Sequence, residues 1–131
     1  MSIVFLIFSP DKMYAFSREI AIVFSGEELG SLQPCGCYEG QLGGISRRHA
    51  FIDLFRKQKN QILSVSLGDL PKGSGRQDEV KMETLCRALE FMGYLLHNLG
   101  EKDIEVNPQV LSFLSQSQNL DFLSTNVSMN A

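Results

Sequence analysis

From Ile20 onward the chain alternates between short apolar runs and longer stretches in which apolar residues recur every three or four positions. Ile20 to Ser25 is a continuous β-branched and aromatic run closed by Gly26. It predicts a strand buried on both faces. The glycine-containing stretch from Glu27 to Gly40, with Pro34, predicts a loop beyond that strand's carboxyl end. Between Gly44 and Lys59, Ile45, Ala50, Phe51, Leu54 and Phe55 fall near helical spacing, and Arg56, Lys57 and Lys59 lie in the last turn, where cations favour the helix dipole.

Ile62 to Leu67 predicts a second strand, stopped by Gly68-Asp69-Leu70-Pro71. Asp78 to Met92 predicts an amphipathic helix with early acidic residues and Gly93 as terminator. A third strand spans Tyr94 to Leu99, a helix spans Pro108 to Ser117 with Asn107 as N-cap, and a fourth strand spans Leu120 to Val127. The order is β-α-β-α-β-α-β. Strands alternating with crossover helices predict an α/β fold with a mostly parallel sheet and flanking helices. Residues 1–19 read as an N-terminal extension and 20–131 as one domain.

Composition narrows the function classes. With 44% hydrophobic and 21% charged residues the chain is expected to fold. A net charge of -3 gives no global positive field for nucleic acid or an anionic membrane. The run Ile3 to Phe8 is too short to span a bilayer and has no basic region before it. The default compartment is therefore cytoplasmic, or exported if an upstream signal has been removed. Three cysteines, Cys35, Cys37 and Cys86, do not form a closed disulfide framework.

Parallel topology brings the loops after the first three strands to one edge, and each carries acidic or amide groups. These are Glu27 and Glu28, then Asp69, then Asn98, Glu101 and Asp103. Convergent carboxylates are what a two-metal site for zinc, manganese or iron requires. Other pieces accompany them in order: Leu32-Gln33-Pro34-Cys35-Gly36-Cys37, Gln41-Leu42-Gly43-Gly44-Ile45-Ser46-Arg47-Arg48, Gly68-Asp69, Gly100-Glu101-Lys102-Asp103 and Ser124-Thr125-Asn126-Val127.

On these residues the chain resembles the calcineurin-like metallophosphoesterases of the 5'-nucleotidase family, in a subgroup carrying the Cys-Gly-Cys stretch. The resemblance implies half of a metallophosphoesterase sandwich, with further histidine ligands beyond residue 131 and the domain incomplete. It implies a divalent metal held by Asp69, with Glu27 at a metal-binding Asp position and Glu101 at a metal-binding Asn position. Leu29 stands where the family has a ligand His, and Lys102 where it has the His that assists phosphoryl transfer. A two-metal centre needs roughly seven or eight ligands. The expected function is therefore a non-catalytic member with a binding or structural role, leaning on another protein chain or the missing C-terminal half. The alternatives are a nucleotide or sugar-nucleotide hydrolase completed by a missing segment, and a thiol-redox module using Cys35 and Cys37.

Each of these residues also has a plainer role. Asp69 closes the Gly68 turn; Glu27 and Glu28 are solvated; Cys35 and Cys37 are packed free thiols or a loop disulfide. Lys102 pairs with Glu101 or Asp103, or else supplies a fixed cation among Glu27, Asp69 and Glu101. Arg47 and Arg48 occupy a solvated first turn or face the site and meet a phosphate. His49 and His97 pack locally.

Overall fold

The computed structural model describes residues 20–34, 36–37, 40, 43–58, 61–125 and 127. The expected extension at 1–19, together with Cys35, Gln41, Leu42, Lys59 and Asn126, lies outside the described residues. The elements are β1 (Ile20–Ser25), α1 (Ile45–Lys57), β2 (Gln61–Ser66), α2 (Arg76–Phe91), β3 (Tyr94–Asn98), α3 (Glu101–Ile104), α4 (Pro108–Ser117) and β4 (Asp121–Leu123). The strands form one sheet in the order β1-β2-β3-β4, and every neighbouring pair is parallel. The α/β expectation holds: one sheet of four parallel strands carries flanking helices.

Local chemistry explains most boundaries. Asn107 caps α4 as expected: its side chain accepts from the Gln109 N–H at 2.9 Å, and Pro108 occupies the first helical position. Gly93 ends α2 at φ 72°, a left-handed backbone that glycine adopts without strain, and its N–H reaches the Glu90 carbonyl at 2.8 Å.

Because the strands run in sequential order, right-handed crossovers put the connecting helices on one face of the sheet. That face buries the core: Ile52 of α1, Met82, Leu85, Cys86 and Leu89 of α2, Leu111 and Leu114 of α4, and Tyr94 of β3, with Ile62 and Phe122 packed against them. The opposite face is different. β1 alternates between exposed and half-buried positions, with Ile20, Ile22 and Phe24 outermost, so its expected burial on both faces is corrected. The apolar run reports capacity for burial, and the described helices use only one side of it.

Two further expectations are revised. The fourth strand is confined to Asp121–Leu123, because β4 pairs with β3 only through Leu96, His97 and Asn98. The loop after β3 contains a short helix, α3, absent from the sequence reading. No helix among the described residues is long and apolar enough to cross a membrane.

Candidate functional site

The carboxyl ends of β1, β2 and β3 meet at one edge of the sheet, and backbone hydrogen bonds lace their loops together. The N–H groups of Glu27, Leu29 and Gly30 donate to the carbonyls of Gly68 (3.0 Å), Asp69 (3.1 Å) and Leu70 (2.7 Å). A shallow depression lined by Gly26, Glu27, Leu67, Gly68 and Asp69 lies between the two loops. Three non-glycine residues here hold left-handed backbones, Glu27 at φ 55°, Leu29 at 46° and Asp69 at 60°. Such conformations cost on the order of 1–3 kcal/mol each and persist only where the surroundings enforce them.

Asp103 ties the β2 loop to the β3 loop. It is fully buried. Its Oδ2 accepts from the backbone N–H groups of Asp69 at 2.7 Å and Gly100 at 2.8 Å, and its Oδ1 accepts from Leu70 N–H at 3.1 Å. His97, also buried, sits with Nε2 3.3 Å from Asp103 Oδ2, an electrostatic contact whose angle falls short of a hydrogen bond. The other ring nitrogen, Nδ1, is 2.9 Å from Ser66 Oγ. Burial alone pushes the Asp103 pKa up; His97 and the N–H groups of Gly100 and Asp69 outweigh that and hold it below the ordinary value of 3.8. His97 thus packs locally as the sequence led us to expect, with Nδ1 partnered by Ser66, while its buried Nε2 has the Asp103 charge beside it but no hydrogen bond.

Asp69 reaches the edge as expected, and its Oδ1 accepts from the Lys102 N–H at 2.8 Å. Glu27 is exposed, and Glu101 has a side chain 80% exposed. Lys102 turns its ammonium outward, 2.7 Å from Glu105 and 3.7 Å from Glu101. Glu105 foremost, by hydrogen bond and charge, raises the Lys102 pKa above its ordinary value. The fixed-cation arrangement with Glu27 and Asp69 does not form. An ordinary pairing does, with Glu105 as principal partner because the α3 turn sets the two residues three apart on one side. Among the described residues, no three His, Cys, Asp or Glu side chains converge as a metal ion would require.

Glu28 departs from its expected solvated state. It is 5% exposed and pairs with Arg48, which also donates to Ser25 Oγ at 3.2 Å; Ser25 Oγ in turn lies 3.0 Å from the Tyr94 hydroxyl. The first turn of α1 therefore does face the strand-end edge, but Arg48 is occupied by Glu28. Arg47 is exposed and lines a surface recess with Pro34 and Gly44.

Of the cysteines, Cys37 is disulfide-bonded, which corrects the packed free-thiol reading for that residue. Cys86 is free and fully buried in the core, and burial pushes its pKa up to about 12. A thiol so protonated and enclosed is unreactive. Ellman's reagent is expected to leave Cys86 untouched in the native chain and to label it only in denaturant; labelling at the rate of an exposed thiol in native buffer would contradict this packing.

The fold and its edge define an α/β domain whose single parallel sheet gathers its loops at one end. No model of a known protein family matches the chain, and no curated protein does. Among solved structures it is similar to the NAD nucleotidase of Haemophilus influenzae, with a TM-score of 0.65 and 18% identity over 82% of this chain. The match spans 20% of that larger chain. At this identity the likeness is one of fold.

Proposed function

We propose that the chain is a metallophosphoesterase-like protein of the 5'-nucleotidase family that does not hydrolyse phosphoesters by itself and serves a binding or structural role. One observation carries this reading. At the edge where relatives gather their ligands, the Asp69 carboxylate already accepts the Lys102 N–H, Glu101 and Lys102 turn outward, and Leu29 offers no donor. This donor set does not fit a two-metal centre, which needs several convergent oxygen or imidazole ligands. The left-handed backbones at Glu27, Leu29 and Asp69 support the reading of this edge as the remnant of such a site.

Metal analysis and turnover test this together. After gel filtration from manganese or zinc, the purified chain is expected to retain well under one equivalent of metal. It should show no hydrolysis of bis(p-nitrophenyl) phosphate, AMP or NAD above the metal-only control. Stoichiometric metal together with turnover lost in Asp69→Asn would overturn the proposal. A second reading, a hydrolase completed by another segment, is favoured by one fact: the fold match spans only a fifth of the nucleotidase. Under it, a longer version of the chain would gain metal-dependent turnover that Asp69→Asn removes.

A further inference from the structure

Arg48 is held at the strand-end edge by an anion that belongs to the chain itself. Its Nη1 donates to a carboxylate oxygen of Glu28 and, at 3.2 Å, to Ser25 Oγ, which lies 3.0 Å from the Tyr94 hydroxyl. The guanidinium belongs to the first turn of α1, where the N-cap is Gly44 and no acidic residue offsets the positive end of the helix. A cationic fork, two hydroxyls and a helix N-terminus together make a receptor for an oxyanion.

Glu28 fills this receptor only in part. Its side chain is 2% exposed, against 23% for Arg48, and its Oε2 is buried with no hydrogen-bond partner among the described residues. A buried carboxylate oxygen without a donor has lost its water and gained nothing in return. Arg48 engages Glu28 and Ser25 through one nitrogen, although a guanidinium presents a fork suited to two oxygens at once. A group with more oxygens than a carboxylate, such as phosphate, can meet the fork and the hydroxyls together. The backbone on either side of Glu28 is left-handed, φ 55° at Glu27 and 46° at Leu29, so the residue that must swing out sits between two strained positions.

We propose that Glu28 is a built-in plug of an oxyanion site: when its side chain withdraws, the Arg48 guanidinium with the Ser25 and Tyr94 hydroxyls binds a phosphate group, free or carried by a small phosphomonoester. The inference deepens the binding role proposed above and rests on the edge working without metal. The plug lowers the apparent affinity by the fraction of molecules it keeps closed, so removing it tightens binding.

Calorimetric titration of the chain in EDTA, with inorganic phosphate and in parallel with AMP, tests this. Glu28→Ala is expected to bind roughly tenfold or more tightly than the parent, and Arg48→Met in the Glu28→Ala background to lose that gain. Tighter binding of AMP would identify the phosphomonoester as the ligand, and tighter binding of phosphate the free anion. Equal affinities in parent and Glu28→Ala would overturn the inference alone. Binding that requires manganese and survives Arg48→Met would instead overturn the metal-free reading of the edge. A second measurement needs no variant and so does not depend on the folding of Glu28→Ala. Phosphate is expected to slow phenylglyoxal modification of Arg48 in the parent chain, read by peptide mapping, while leaving Arg87, which pairs with Glu83 on the surface, unaffected. Equal effects of phosphate on both arginines would sink the idea.

Discussion

Replacing Asp103 with alanine is expected to lower the stability of the chain by about 3–5 kcal/mol, the range found when one partner of a buried charged cluster is removed. Three backbone N–H groups, of Asp69, Leu70 and Gly100, lose their acceptor together at a fully buried position. His97 loses the charge beside its Nε2. Domains of this size have only about 5–15 kcal/mol in hand. With urea slopes of about 1–3 kcal/mol per molar, the midpoint should fall by on the order of 1–5 M. A loss below about 1 kcal/mol would mean that the two loops hold without this carboxylate.

The same residue sets a pH dependence. Its folded pKa lies below the unfolded value, so the folded state binds fewer protons and the stabilisation is complete above the ordinary value of 3.8. It fades as pH falls from there through the lower folded pKa. The parent chain should therefore lose stability steeply below about pH 4, and Asp103→Ala should show a shallower acid limb. Parallel acid limbs in the two proteins would assign the acid sensitivity to other carboxylates.

How far the sequence foretold these features depended on the range of the interaction. Periodicity, Asn107-Pro108 and Gly93 act within a few residues, and the helices and parallel strands followed from them. Convergence of Glu27, Asp69 and the 101–103 turn at one edge followed from topology alone. What those side chains do there did not, because their partners are remote in sequence. Asp103 meets N–H groups at positions 69 and 70, and Glu28 meets Arg48 twenty residues on, so Glu28 looked like a solvated loop carboxylate and Asp103 like one more acid of the edge or a partner of Lys102. Lys102 was legible as a pairing residue, but the choice of Glu105 required knowing that residues 101–104 coil into a helical turn. The run Ile20 to Ser25 was misjudged for a different reason. Its apolar character records a surface able to be buried, and no described element packs on its second face.

Gly68→Ala is expected to have the second-largest effect, about 3 kcal/mol, combining left-handed strain with overpacking. Gly68 sits at φ 113°, and a Cβ there would lie 2.6 Å from Gly100 N, 2.8 Å from Gly100 Cα and 2.9 Å from the Asn98 carbonyl. All three are backbone atoms. None can move without disturbing either the β2–β3 pairing or the N–H that Gly100 gives to Asp103, so relief must come from parting the loops that form the strand-end edge. Gly43→Ala separates the two contributions, since Gly43 has φ 95° but an added Cβ would meet nothing within 4 Å. It should cost only the conformational part, about 1–2 kcal/mol. Urea unfolding of both variants reads the difference, and equal shifts would show that the close approach of β2 and β3 at Gly68 yields readily, leaving the edge softer than its hydrogen bonds imply.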